Sequence, residues 1–176
     1  WVQNNSRIPL ALDYFLIKTD ANGKESWRKI WHKGNYQDAG ASKLLSKGNY
    51  LYFGQSSDQI DSTAGYMAEF NPQGKIVWEK EYNQYKYLNL VELIELPHAF
   101  VLTGVKDFGN TGYLVKTDKQ GNVIWERQYK YNPHNSNYTF GLDTTSDGGF
   151  IMAGFSNDSF PDGTDRQDQD AWLLKV

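Results

Sequence analysis

Cysteine is absent from the 176-residue chain. Disulfides, thiolate metal sites and a cysteine nucleophile are thereby excluded, while the redox compartment stays open. Long hydrophobic runs are missing too: stretches such as Phe15-Leu16-Ile17 fall far below the ~20 apolar residues of a membrane-crossing helix. No membrane-spanning segment is expected. Lys and Arg number 18 against 21 Asp and Glu, interleaved to a net charge of −3, so no sustained positive field attracts phosphate backbones. Nucleic acid is not an expected partner. Histidine is scarce, and His32, His98 and His134 sit at unrelated positions without metal-ligand spacing, as surface residues would. The first residues, Trp1-Val2-Gln3-Asn4-Asn5-Ser6, lack the basic and then apolar pattern of a secretory signal. No stretch carries helical periodicity; turn residues punctuate short β-branched and aromatic runs every 6–12 positions, which argues an all-β fold.

What the chain does have is a repeat. Lys18-Thr19-Asp20-Ala21-Asn22-Gly23-Lys24-Glu25-Ser26-Trp27 returns as Glu69-Phe70-Asn71-Pro72-Gln73-Gly74-Lys75-Ile76-Val77-Trp78, then as Lys116-Thr117-Asp118-Lys119-Gln120-Gly121-Asn122-Val123-Ile124-Trp125. The tryptophans are 51 and 47 residues apart, and Gly54, Gly104 and Gly154 follow one another at 50 and 50. A period near 50 built of short strands and tight turns indicates propeller blades.

Each period resolves into four strand-like runs, a to d. Run a (41–45, 91–94, 141–145) leads through a Gly, Asn or Asp turn into run b, which ends at Gly54, Gly104 or Gly154. Run c is an aromatic, two apolar residues and usually Lys. Three of its four copies enter an Asp/Asn-x-x-Gly turn in which the side-chain oxygen bonds backbone two residues on and Gly23, Gly74 or Gly121 accepts a left-handed conformation. Run d alternates, with Val123, Trp125, Arg127 and Tyr129 on one side, as a half-buried strand does. The middle copy departs from this pattern: Glu69-Phe70-Asn71 replaces Lys-Thr-Asp, and Leu96-Pro97-His98 replaces a Ser-Asp-Gly turn.

The expected architecture is an all-β β-propeller segment of about three blades of four antiparallel strands, part of a larger propeller. Its divisions are a partial blade at 1–35, blades at 36–82 and 83–129, and an incomplete blade at 130–176. Both ends supply a c-type strand, so they cannot complete one another, and a chain that is an interior slice or is completed by other copies is expected. Trp27, Trp78 and Trp125 are expected between adjacent blades. Alternating strands put the a–b and c–d turns on one face, where lengths are nearly constant. The b–c spans (13, 10 and 19 residues) and the d–a spans (14, 13 and 16) share the other face, where a recognition surface would be built.

Catalytic patterns are missing. There is no Gly-x-Ser-x-Gly elbow, and Thr145-x-Asp147-x-Gly149 resembles only the turn half of a sialidase Asp-box, while Arg7, Arg28, Arg127 and Arg166 do not fall on the inner run-a strands. The run Asp162-Gly163-Thr164-Asp165-Arg166-Gln167-Asp168-Gln169-Asp170 could offer oxygens to calcium, but its spacing is not that of an EF-hand; a solvated acidic loop is the preferred reading and no cofactor is expected. Tyrosines cluster in the d–a connections. Tyr82 and Tyr129, with Trp31, read as the last inward residue of run d, which leaves Tyr85, Tyr87 and Tyr131 as surface-binding candidates.

Residues 13–27, 65–78, 112–125 and 141–176 resemble a bacterial cell-surface propeller repeat, best seen in Asp13-Tyr14-Phe15-Leu16-Ile17-Lys18-Thr19-Asp20 and in Thr145-Ser146-Asp147-Gly148-Gly149-Phe150-Ile151-Met152-Ala153-Gly154. The Gly-then-Trp spacing is similar to that of quinoprotein-like propellers, without a matching quinone and calcium site. The resemblance implies a secreted or cell-surface, outer-membrane-associated bacterial protein and transfers no catalytic residue. The expected function is a non-catalytic scaffold, not an enzyme, that binds a protein partner or the remaining blades of its own chain. The alternatives are a carbohydrate-binding propeller and the non-catalytic part of a larger secreted enzyme.

Overall fold

The computed structural model describes residues 13–31, 40–59, 62–85, 87–130, 136–158 and 168–176. The recurring Asp/Asn-x-x-Gly sequence makes the same turn three times. Asp20 Oδ1 accepts from the amides of Asn22 (2.9 Å) and Lys24 (3.0 Å), Asn71 Oδ1 from Gln73 (3.1 Å) and Lys75 (2.9 Å), and Asp118 Oδ1 from Gln120 (2.9 Å) and Asn122 (2.8 Å). Gly23, Gly74 and Gly121 complete these turns at φ of 79°, 77° and 77°, a conformation that costs a residue with a Cβ roughly 1–2 kcal/mol.

Strands flank the turns: β1 Tyr14–Thr19, β2 Glu25–Trp31, β3 Ala41–Leu44, β4 Tyr50–Gln59, β5 Ser62–Phe70, β6 Ile76–Tyr82, β7 Asn89–Leu96, β8 Ala99–Lys106, β9 Thr111–Thr117, β10 Val123–Tyr129, β11 Asn137–Thr144, β12 Phe150–Asp158 and β13 Asp168–Lys175. Among the described residues there is no helix, and so none long and apolar enough to cross a membrane. Each strand pairs antiparallel with its neighbour in sequence, forming sheets β1-β2, β3-β4-β5-β6, β7-β8-β9-β10 and β11-β12-β13. The fold is all-β, made of short antiparallel sheets.

Consecutive sheets cover one another. Tyr14 and Trp31 of the first sheet pack with Tyr52, Tyr66, Ala68 and Phe70 of the second. Phe53, Met67 and Tyr82 of the second pack with Leu93, Phe100, Leu102, Tyr113 and Val115 of the third, whose Val101 and Leu114 meet Met152 of the fourth. Alternation along β8 therefore sends Phe100 and Leu102 one way and Val101 the other. With a sheet on each side, β8 is buried along nearly all its length.

Two recurring signals have distinct physical causes. Gly104 and Gly154 do not have positive φ; each lies against a bulge in the preceding strand, at Leu90/Glu92 and Thr139/Gly141, where a Cβ would stand 1.9 Å from the Asn89 carbonyl oxygen and 1.8 Å from that of Tyr138. Gly54 pairs with Tyr66 at the same place in the second sheet. The β7–β8 connection differs from its counterparts at Gly48 (φ 86°) and Gly148 (φ 87°): Pro97 and His98 form a two-residue turn without positive φ. Glu69, standing where other copies have Lys, is fully buried and satisfied by Trp78 Nε1 (2.9 Å), Lys47 Nζ (2.7 Å) and the Asn49 amide.

Candidate functional site

Among the described residues, the left-handed backbone outside glycine concentrates at one place. In the β8–β9 connection Asp107 (φ 55°), Phe108 (φ 60°) and Gly109 (φ 85°) are left-handed in succession, and Tyr87 (φ 52°) stands opposite. Non-glycine residues held there cost energy that neighbouring contacts must offset. The Tyr87 and Phe108 rings lie against one another with centroids 3.4 Å apart and planes tilted by 32°. The Asn137 amide donates to the Gly109 carbonyl (2.7 Å), and Asn137 Nδ2 donates to that of Asn110 (3.0 Å). The Tyr138 ring covers Gly109 so closely that a Cβ would sit 2.3 Å from its hydroxyl.

From Tyr138 the aromatic row continues to Phe155 (4.8 Å) and Phe140 (5.6 Å beyond it). Phe108 is 55% exposed and Phe140 48%, so the row shows apolar ring surface to solvent along the third and fourth sheets. Lys106 Nζ lies 4.6 Å above the Tyr85 ring and puts a cation at its margin. Tyr87 and Phe108 lie in the β6–β7 and β8–β9 connections, Tyr138 near the start of β11, and Phe140 and Phe155 within β11 and β12. The opposite face carries the regular turns, joined by Glu95, which accepts from the Ser46 amide (2.7 Å) and from Lys119 (2.8 Å).

Tyr85 is half-buried against the core of the second and third sheets. Its hydroxyl donates to Glu126 Oε2, which also accepts from Tyr113 (2.5 Å). Burial, then the carboxylate, pushes both phenols above their ordinary range. Tyr66 and Glu79 make the corresponding contact one repeat earlier, at 2.8 Å, so this pairing belongs to the repeat. Tyr85 is thus held in the repeat's own core while Tyr87 lines the row; Tyr131 lies outside the described residues, as do His32, His134 and most of the acidic run 162–170. His98 is exposed.

Phe108, Phe140 and Phe155 escape a reading by repeats because they fall off the recurring positions. The available signal was Asp107-Phe108-Gly109-Asn110, a large apolar residue within a turn sequence. The chain matches no family model and no curated protein.

Proposed function

We propose that the chain is a β-propeller segment of a secreted or cell-surface bacterial protein, a non-catalytic scaffold that binds a protein partner through the aromatic row. The observation that carries this reading is the one-sided cluster of Tyr87, Phe108, Tyr138 and Phe140, opposite the face that carries the regular turns. Aromatic side chains bring large contact area at low entropic cost and dominate interface energetics. The sheet-on-sheet packing and the 50-residue period support the propeller arrangement, and the resemblance to cell-surface repeats supports the location.

Affinity capture from the envelope and secreted fractions of the source organism tests it. A partner held by the wild-type chain is expected to be lost with Tyr87→Asn/Phe108→Asn, asparagine tolerating the left-handed backbone, while circular dichroism shows the strands retained. Saturable binding of one sugar class on a glycan array would instead establish the carbohydrate-binding alternative, which exposed stacked rings also suit.

A further inference from the structure

The carboxylate of Glu126 is used twice. Its Oε2 accepts from the Tyr113 hydroxyl (2.5 Å), the contact that Glu79 makes with Tyr66 (2.8 Å) one repeat earlier, and it also accepts from the Tyr85 hydroxyl. In the earlier repeat the third group is Trp31 of β2, whose Nε1 donates to the Tyr66 hydroxyl (3.2 Å). Tyr82, which follows Trp78 as Trp31 follows Trp27, instead turns its hydroxyl to the Gly121 carbonyl (2.7 Å). A strand residue thus completes the first cluster, whereas the β6–β7 connection supplies the third group of the second.

That exchange ties a connection to the sheet. The Tyr85 amide donates to the Tyr82 carbonyl (3.3 Å), and its ring lies 5.8 Å from that of Tyr113. Leu88 closes the same connection by donating to the Thr63 carbonyl (3.4 Å), and Tyr87 stands between these two anchors with its ring against Phe108. The β8–β9 connection reaches the same anchor: Lys106, two residues before Phe108, holds its Nζ 4.6 Å over the Tyr85 ring and 5.7 Å over that of Tyr113. Both connections that carry the ring pair therefore meet on Tyr85, whose hydroxyl is held by Glu126. The left-handed backbone at Tyr87, Asp107 and Phe108 persists only where such contacts fix it.

We propose that Glu126 is a positioning residue of the recognition site, acting through Tyr85 and Lys106 to hold the Tyr87–Phe108 pair in the geometry that a partner meets. The proposal rests on the reading of that pair as a recognition site and adds how the pair is ordered before binding, which lowers the ordering cost of association. Glu79 makes the same tyrosine contact but has no residue of a connection on its carboxylate among the printed bonds of the described residues, so it serves as the structural counterpart.

Amide hydrogen exchange measured by NMR on the 176-residue chain tests it, read at Leu88 and Asn110, whose amides close the two connections on Thr63 and Asp107. Glu126→Ala is expected to speed exchange at Leu88 by roughly 10-fold or more, as loss of a bond to a charged group implies, and to speed Asn110 in the same direction. Glu126→Gln keeps an acceptor for the phenols and is expected to restore most of the protection. Glu79→Ala is the matched control for lost stability and is expected to leave both amides near their wild-type rates. Should Glu126→Ala fail to fold, Tyr85→Phe decides, because it removes one hydroxyl and keeps the ring beneath Lys106; Leu88 is expected to exchange faster in it as well. Unchanged exchange at Leu88, or an equal change from Glu79→Ala, overturns the proposal. Equal capture of the wild-type chain's partner by Tyr85→Phe overturns it too, since weaker capture is expected. The exchange arm needs no partner: faster exchange specific to Glu126→Ala and Tyr85→Phe, together with a partner that Tyr87→Asn/Phe108→Asn still retains, places the failure in the proposed function and not in the tie.

Discussion

Replacing Gly104 with alanine adds one methyl group at a position where the backbone has ordinary φ and leaves no room. The new Cβ would be 1.9 Å from the Asn89 carbonyl oxygen, 2.9 Å from its carbon and 3.0 Å from Leu90 Cα. Every one of these atoms is backbone, and β8 is held between β7 and β9, so relief requires β7 to retreat by more than about 1 Å toward an ordinary van der Waals distance. That movement disrupts about two ladder hydrogen bonds near the bulge, at about 1 kcal/mol each, and repacks the buried Leu90 for a further 1–2 kcal/mol or so. A loss of about 3–4 kcal/mol is expected, read as a shift of the urea midpoint by tryptophan fluorescence at unchanged slope. Gly48→Ala is the control: Gly48 has φ 86° with nothing among the described residues within 4 Å of its Cβ position, so only the left-handed strain of roughly 1–2 kcal/mol applies. If Gly104→Ala costs no more than Gly48→Ala, the close-approach explanation for the recurring glycine is wrong.

Glu69→Ala removes the shared acceptor of Trp78, Lys47 and Asn49 and should cost about 3 kcal/mol, whereas Glu69→Gln, which keeps an acceptor for Trp78, should cost less in the same titration. Gly74→Ala should lose about 1 kcal/mol beyond strain by crowding the Trp27 ring, and a double-mutant cycle with Trp27→Ala should recover that excess as coupling. Burial tends to raise the Glu95 carboxyl, but hydrogen bonds from Lys119 and Ser46 outweigh it and hold the group below its ordinary range. The unfolded chain then binds this proton more readily, so the contribution is present at neutral pH and is lost as pH falls through the carboxylate range. Chemical denaturation against pH should show Glu95→Gln with a shallower acid slope than wild type.

The local parts of the fold were legible because their causes are local. Asp20, Asn71 and Asp118 bond amides two and four residues on, so each turn is specified within a few residues of sequence. Strand alternation identified Trp31, Tyr82 and Tyr129 as inward; the first two are buried and Tyr129 is half-buried. The candidate site was only partly legible: Tyr87 was identified, but Phe108 gains its setting from Tyr87, Asn137 and Tyr138, which arrive from two other connections. Glu69 presents the same difficulty, since its burial depends on donors from the β3–β4 turn and β6 that nothing in its own run announces.

On the proposed reading, a partner is bound on the loop face and the regular turns of the opposite face serve folding. Affinity capture with two folded variants separates the faces: Tyr87→Asn/Phe108→Asn on the loop face, and Lys175→Ala, which breaks an exposed ion pair with Asp147 on the turn face. The partner bound by the wild-type chain should be lost from the first variant and retained by the second. Equal retention by both, or loss from the turn-face variant alone, would contradict it.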